Sequence, residues 1–436
     1  MSREELAEAV AVWLSDHDAK GREYAFDAGH LGKIERGVVH RPRQHHIAAL
    51  CAVLAATEAE LGFGPESSLL IPATDNWDRG SVLAATDEMA RDDLATTRRQ
   101  AVAALTGAAL TRPLHRWLDP LAEGESVTSG GSVLTPPEVS ALESLADQLH
   151  GWSNSGNGVL ARKAVIAQLS ESAGRLRDAP AGRLTERAMV ATARLAHTAA
   201  SMSWDAGIHH VAQRYYTLAV QLAKIGRDDA LAAVVLAGMG RQCFDLNRPD
   251  DGLELVQLAQ FGTRRSATPR LRAMLATREA WAYAQQGQVQ AFLRTVELAE
   301  DHFAEISRSE PPQWVGSFDL AELHGVIGAR YRDLALHATK QARQAERHIS
   351  RALVLRDPKL VRNRVFDTIG LARTHLISQE PEQAALLIKE VLPVAAPLAR
   401  GRVGVKLADF RRESARYATV PVIRDARAAI EDLSRM

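Results

Sequence analysis

The chain has 436 residues, of which 46% are hydrophobic and 24% charged, so it can bury more than one core and is not expected to be disordered. Lys and Arg number 53, as do Asp and Glu, which excludes a net field that would draw the whole molecule to nucleic acid or to an anionic membrane. Any such partner must be bound through a local patch. The two cysteines, Cys51 and Cys243, belong to no CxxC or Cys/His cluster, which excludes a disulfide framework and a zinc site. Because residues 1–20 are rich in acids and no long apolar run occurs, we expect a soluble, cytoplasmic protein without a membrane partner.

The N-terminal block predicts three helices. Ser2 followed by Glu5 is a capping-box pattern that opens the first helix. Its apolar face consists of Leu6, Ala9, Val10, Trp13 and Leu14. A polar loop over 16–23 leads to a second helix over 27–36, which ends at Gly37. The third helix is marked by Ile47, Leu50, Cys51 and Leu54. Three helices of this spacing fit a helix-turn-helix domain over 1–65.

The rest of the chain also indicates helices and no strands, since alanine, leucine and arginine dominate and only 5% of the residues are aromatic. Two segments rich in turn formers, 124–137 and 152–158, interrupt residues 66–180. We assign 66–180 to a helical linker and dimerisation segment. The predicted fold class is therefore all-α.

Residues 181–436 show a forty-residue period. Leu-Ala pairs recur at 218–219, 258–259 and 298–299, and small residues recur at 200, 240 and 280. Five helical pairs are predicted, closed by a helix around 422–433. The predicted pairs are 187–204 with 209–225, 231–245 with 251–261, 270–285 with 289–306, 320–339 with 342–355, and 361–378 with 382–392.

The type of repeat is open on spacing alone. Forty residues is longer than a tetratricopeptide repeat and close to a HEAT repeat, and an irregular helical bundle with recurring alanines is a third alternative. The turns at 247–252 and 379–384 are typical of tetratricopeptide repeats, so we favour a tetratricopeptide-like superhelix.

The segment Leu31-Gly32-Lys33-Ile34-Glu35-Arg36-Gly37, preceded by residues 3–9 and followed by 48–50 and 60–63, resembles the end of the recognition helix in Cro/C1-type helix-turn-helix domains. The order of the later segments, including 203–207, 213–215, 236–239 and 356–358, is similar to large actinobacterial transcriptional regulators that join such a domain to tetratricopeptide-like repeats. The Cro/C1 domain normally has a further helix before the one that begins Arg3-Glu4-Glu5-Leu6-Ala7, so the resemblance implies that the first helix is missing.

The resemblance implies that the start of the second helix faces the bases of double-stranded DNA and that basic residues after it reach phosphates. The implied DNA-binding residues are Asp27, His30, Lys33, Arg36, His40, Arg41 and Arg43. The local charge agrees, because residues 30–46 hold four Lys or Arg against one acid. The whole block 1–65 is nevertheless acidic, with seven Lys or Arg against ten Asp or Glu.

No sequence pattern indicates an enzyme, since phosphate-binding loops, metalloprotease motifs and nucleophile elbows are absent from the sequence. We expect no catalytic residues, metal or cofactor. The first helices of the repeats normally line a concave groove, and there we predict a ligand site for an anionic small molecule or acidic peptide. Its residues are Arg241, Arg278, Trp281, Glu322, Arg362 and Asp367. Each of these could instead be an ordinary solvated or salt-bridged helix position.

The sequence thus favours a DNA-binding transcriptional regulator that acts as a homodimer, whose helical repeats mediate dimerisation and sense a peptide, small molecule or protein. The alternative is a repeat-based interaction adaptor or anti-activator that does not bind DNA.

Overall fold

The computed structural model describes residues 3–17, 26–35, 42–54, 76–95, 104–120, 134–154, 158–307, 313–399 and 401–435. These residues form α-helices and short 3₁₀ helices, and they contain no β-strand, which confirms the all-α prediction. Within the same residues, every helix is too short or too polar to cross a lipid bilayer.

The described residues form nineteen α-helices. The first seven are α1 (Arg3–Asp16), α2 (Ala28–Glu35), α3 (Gln44–Leu54), α4 (Arg79–Ala95), α5 (Ala108–His115), α6 (Pro136–Asn154) and α7 (Gly158–Arg177). The next six are α8 (Arg183–Asp205), α9 (His209–Ile225), α10 (Asp229–Asp245), α11 (Pro249–Gly262), α12 (Pro269–Gln285) and α13 (Val289–Ala304). The last six are α14 (Leu320–Ala335), α15 (Ala342–Leu355), α16 (Val361–Ile377), α17 (Pro381–Ala395), α18 (Arg402–Glu413) and α19 (Pro421–Arg435).

By its internal contacts the chain divides into two units, Met1–Ile71 with Thr96–Leu105, and Pro72–Ala95 with Thr106–Met436. In the first unit, α1 packs against α2 and α3. The apolar face of α1 is buried with residues of the other two helices. This small core consists of Ala7, Val10, Leu14, Phe26, Leu31, Ala49 and Leu50.

The second unit contains α4 to α19, so α4–α7, which lie in the predicted linker segment 66–180, belong to the same unit as the later helices. From α8 to α17, consecutive helices pack in pairs as helical hairpins joined by short turns. The pairs are α8 with α9, α10 with α11, α12 with α13, α14 with α15, and α16 with α17. The first helix of each pair also packs against the first helix of the next pair. This row of α8, α10, α12, α14 and α16 carries the residues of the predicted ligand site, and α18 packs against the end of the row at α16.

The recurring small residues allow the paired helices to approach closely. Ala219, Ala259 and Ala299 are fully buried, and so are Ala200 and Ala280 to within 1%. Gly240 lies so close to α11 that a Cβ atom there would be 3.1 Å from the backbone oxygen of Gly252. Each pair therefore buries backbone as well as side chains, which explains why small residues recur at the period of the helices.

The turns between these helices repeat one backbone conformation. A residue with positive φ ends the helix at Gly207, Arg227, Asn247, Gly287 and Gln379, with φ between 57° and 76°. The residue after it donates its N–H to a carbonyl five positions back, as in Asp228 to Ala223 at 2.9 Å and Gln288 to Tyr283 at 2.9 Å. This is a Schellman motif, which satisfies carbonyls that the end of a helix leaves without partners.

Candidate functional site

Two of the predicted DNA-binding residues make local contacts in the first unit. Asp27 precedes α2 as its N-cap, and its Oδ1 accepts the backbone N–H of His30 at 2.6 Å. The ring of His30 packs edge-on against Phe26, with 5.1 Å between the ring centroids, and lies 5.2 Å from the ring of His46. Both residues thus have structural roles at the start of the helix that the sequence assigns to base recognition.

The histidines at the start of α3 belong to the same cluster. His46 contacts Phe26, His30 and His45 through its ring, with centroids 4.3 to 5.2 Å apart. Burial, the neighbouring histidines and Arg43 lower the pKa of His46 from 6.5 to about 4. His46 is therefore neutral at physiological pH and acts as a packing residue.

The basic residues of the predicted DNA-binding set are described only in part. Arg43 precedes α3 and is exposed, and its carbonyl accepts the N–H of Ile47 at 3.1 Å. Lys33 lies in α2, with its side chain outside the described part of the structure. Arg36, His40 and Arg41 lie outside the described residues.

In the second unit, four of the six predicted ligand residues lie on neighbouring first helices. Arg241 is on α10, Arg278 and Trp281 are one turn apart on α12, and Glu322 is on α14. After burial, the charges of Arg241 and Glu322 act most strongly on the pKa of Arg278, so these three side chains lie near one another. The row of first helices therefore brings Arg241, Arg278 and Glu322 near one another, with Trp281 one turn from Arg278.

The other two predicted ligand residues are occupied by ion pairs. Arg362 on α16 donates to Asp205 at the end of α8, at 2.9 Å. Asp367 accepts from the Nε of Arg356 at 2.6 Å, and the same guanidinium donates to Glu322 at 2.9 Å. Arg356 is only 3% exposed at its side chain, so it joins two carboxylates in the interior.

Arg241 and Arg278 differ from the arginines around them, because within the described residues neither has a carboxylate at ion-pair distance. Arg278 is 6% exposed, and its Nε is buried without a hydrogen-bond acceptor. Arg241 is half-buried, stacks over the Trp204 ring at 5.5 Å, and also has a buried Nε without an acceptor. Burial is the first cause that lowers the pKa of both guanidinium groups, and each of them is lowered further by another arginine.

Sequence reasoning missed Arg330, which stacks on Trp281, and Arg402, which stacks on Trp204 beside Arg241. The guanidinium carbon of Arg330, on α14, lies 3.3 Å from the centroid of the Trp281 ring. Arg402, on α18, lies 4.1 Å from the centroid of the Trp204 ring and pairs with Asp205. Arg330 does not fall in the forty-residue register because α13 ends at Ala304 and α14 begins only at Leu320. Arg402 lies on α18, after the five helix pairs, so no periodicity predicts it.

We name Arg241, Arg278, Trp281 and Arg330 the arginine cluster. It combines three fixed positive charges with the indole of Trp281 in a poorly solvated space, which suits recognition of an anion. Within the described residues, no grouping of three or more His, Cys, Asp or Glu side chains has the geometry to hold a metal ion. No protein-family model, curated protein or solved structure matches this chain.

Proposed function

We propose that this protein is a DNA-binding transcriptional regulator, in which the N-terminal unit binds double-stranded operator DNA and the helical array binds an effector. We further infer that α8 to α17 form a tetratricopeptide-like superhelix, that the protein acts in the cytoplasm, and that it binds DNA as a homodimer. A single small module makes few phosphate contacts, so two copies on a two-fold site give useful affinity.

The DNA-binding proposal rests on the position of residues 31–37 in the first unit. The described part of this segment lies in α2, a short helix that packs against α1 and shares a small core with α1 and α3. A helix-turn-helix domain presents its recognition helix in the same way, on a small helical support. Lys33, Arg36, Arg41 and Arg43 supply the positive charge that phosphate contacts require.

The proposal is tested by selecting DNA with the full-length protein. A random-sequence duplex library is enriched over several rounds, and the enriched duplex is used in gel shifts across a salt series. We expect the triple variant Lys33→Ala, Arg41→Ala, Arg43→Ala to bind more weakly and to reduce the slope of log K against log salt by about one for each lost phosphate contact. Arg272→Ala, on the exposed surface of α12, is the matched control and is expected to bind as the wild type does.

The alternative function, an interaction adaptor that does not bind DNA, is favoured by the contacts of Asp27 and His30. Both residues are engaged within the first unit and are thus poorly placed to read bases. If the library yields no enriched sequence, or if the triple variant binds as well as the wild type, the adaptor is the better proposal.

A further inference from the structure

The arginine cluster contains buried hydrogen-bond donors that the protein itself does not satisfy. The Nε atoms of Arg241, Arg278 and Arg330 and the indole Nε1 of Trp281 are all buried, and within the described residues none of the four has an acceptor. A buried donor without an acceptor is costly, and native structures contain few of them. Four such groups, all donors, indicate that an acceptor-rich partner belongs here.

The four donors lie close together. Arg278 and Trp281 are three residues apart on α12, which places them on one face of that helix. Arg330 stacks on the Trp281 ring at 3.3 Å. Arg241 is among the charges that act on the pKa of both Arg278 and Arg330. The cluster is therefore one site rather than four separate defects.

The carboxylates around the cluster are already engaged. Glu322 accepts from Arg356 at 2.9 Å, and Asp333 accepts from Arg332 at 2.6 Å and forms an ion pair with Arg330 at 3.2 Å. Asp245 pairs with Lys406 at 3.3 Å. Glu322 acts on both Arg241 and Arg278, and Asp245 on Arg241, only from beyond ion-pair distance, and each carboxylate is already paired with another cation. Among the described residues, neither Arg241 nor Arg278 therefore has a carboxylate of its own.

We propose that the arginine cluster binds a small phosphorylated compound through its phosphoryl group, with Arg241 and Arg278 neutralising the charge and Arg330 and Trp281 donating further hydrogen bonds. A phosphomonoester carries close to two negative charges at neutral pH and three strong acceptor oxygens, which matches two unpaired guanidinium groups and four free donors. A carboxylate carries only one negative charge, so it neutralises one of the two guanidinium groups and leaves the other without a counter-charge. The inference deepens the proposed effector role, since it names the chemical class of the effector.

The test uses the full-length protein, with phenyl phosphate, inorganic phosphate and acetate as probes. Binding is measured by calorimetry, and thermal melts are recorded at constant ionic strength. We expect phenyl phosphate to bind with one-site stoichiometry and to raise the melting temperature, because a ligand that binds only the folded state stabilises it. We expect acetate to do neither. Inorganic phosphate distinguishes recognition of the phosphoryl group alone from recognition of the ester.

Arg278→Met separates a binding role from a structural one. The methionine retains much of the apolar stem and removes a buried charge that has no protein partner, so in phosphate-free buffer this variant is expected to melt at or above the wild-type temperature. It is also expected to bind phenyl phosphate about tenfold more weakly or worse, since hydrogen bonds to charged groups are the strong ones. Arg272→Met is the matched control on the same helix, where the exposed arginine pairs with Glu305 at 3.0 Å, and it is expected to keep full binding.

Several results would overturn the proposal. It is wrong if the wild type shows no calorimetric binding of phenyl phosphate, or if Arg278→Met binds it as tightly as the wild type. It is equally wrong if acetate binds as well as phenyl phosphate. If Arg278→Met does not fold, Arg241→Met is tested in its place. The ³¹P resonance of phenyl phosphate is then also recorded with the wild-type protein, where binding is expected to broaden it. None of these measurements involves DNA, so failure here leaves the DNA-binding proposal standing, and failure to bind DNA leaves this site standing.

Discussion

Arg356 is the residue whose loss is expected to harm the second unit most. Its side chain is 3% exposed and holds Glu322 at 2.9 Å and Asp367 at 2.6 Å. Arg356→Met leaves both carboxylates in a poorly solvated space without their counter-charge. We expect the free energy of unfolding at pH 7.5 to fall by about 3–5 kcal/mol, as for other broken buried pairs. Urea denaturation followed by circular dichroism measures the change.

The deficit of Arg356→Met is expected to depend on pH. Burial already raises the pKa of Asp367 to about 7, and without Arg356 it rises further. A carboxyl with a raised folded-state pKa takes up a proton in the folded state as the pH falls, so the variant should recover part of its stability between pH 7.5 and 5.5. Arg272→Met, which breaks an exposed pair, should cost less than about 1 kcal/mol. An Arg356→Met protein as stable as the wild type at pH 7.5 would contradict the ion-pair role.

His46 makes the first unit sensitive to acid. Its pKa is about 4 in the folded protein and near 6.5 when the chain is unfolded, so the unfolded state binds more protons between these values. The stability contributed by neutral His46 is complete above pH 6.5 and is lost as the pH falls toward 4. An NMR titration of the His46 ring is expected to show a midpoint near 4 in the native protein and near 6.5 in urea. His46→Phe should flatten the pH dependence of the free energy of unfolding. A midpoint near 6.5 for the His46 ring in the native protein would contradict its packing role.

At the scale of helices, the pair α10 and α11 is expected to tolerate no added volume at Gly252. A Cβ atom at this position would overlap the ring of Phe244, which is 1% exposed. Gly252→Ala is therefore expected to lower the free energy of unfolding by about 1–3 kcal/mol, even though alanine favours helices more than glycine does.

Gly174→Ala is the matched control for that substitution. Gly174 lies in α7, and a Cβ atom there would meet no other atom within 4 Å. The same change is thus expected to raise the free energy of unfolding by about 0.5–1 kcal/mol, through helix propensity alone. Thermal or urea unfolding of the two variants gives the comparison. Equal effects of the same sign at both positions would show that the close approach of Phe244 does not determine the effect of Gly252→Ala.

The turns show what local sequence signals can and cannot reveal. All five Schellman turns in the array place a residue with positive φ at the helix end, but glycine occupies only positions 207 and 287. Asparagine, which tolerates this conformation, is at 247, while arginine and glutamine stand at 227 and 379. Apolar periodicity predicted the helix ends at 225 and 378, where the structure has 225 and 377, and the residues with positive φ gave no signal, because neither Arg227 nor Gln379 is typical of a helix end.

At the scale of the molecule, the all-α class followed from composition and periodicity, since both depend on local sequence. The arginine cluster was predictable in part. Arg241, Arg278 and Trp281 could be assigned to first helices, which line one face, whereas Arg330 lies outside the forty-residue register. The sequence left a salt bridge open as an alternative for Arg362 and Asp367, but spacing could not identify the partners, because Asp205 ends α8 and Arg356 follows α15. Spacing shows which face a residue occupies, and only the packed structure shows which charges meet there.

The DNA-binding residues and the arginine cluster are expected to be coupled, so that each ligand changes the affinity for the other. If phenyl phosphate at the arginine cluster changes the DNA affinity by some factor, DNA must change the affinity for phenyl phosphate by the same factor, because both follow from one coupling free energy. We expect a factor of about 5 to 150, as is typical of allosteric proteins. DNA affinity is measured by fluorescence anisotropy with the enriched duplex, at constant ionic strength so that counterion effects cancel.

The variants assign each half of this coupling to its site. Arg278→Met should bind the enriched duplex with an affinity that no longer responds to phenyl phosphate. The triple variant Lys33→Ala, Arg41→Ala, Arg43→Ala should bind phenyl phosphate as the wild type does, in calorimetry without DNA. If the wild-type DNA affinity does not change with phenyl phosphate while both ligands bind, the sites are energetically independent. The array would then bind its anion for a purpose other than control of DNA binding, since a ligand with equal affinity for two states shifts neither.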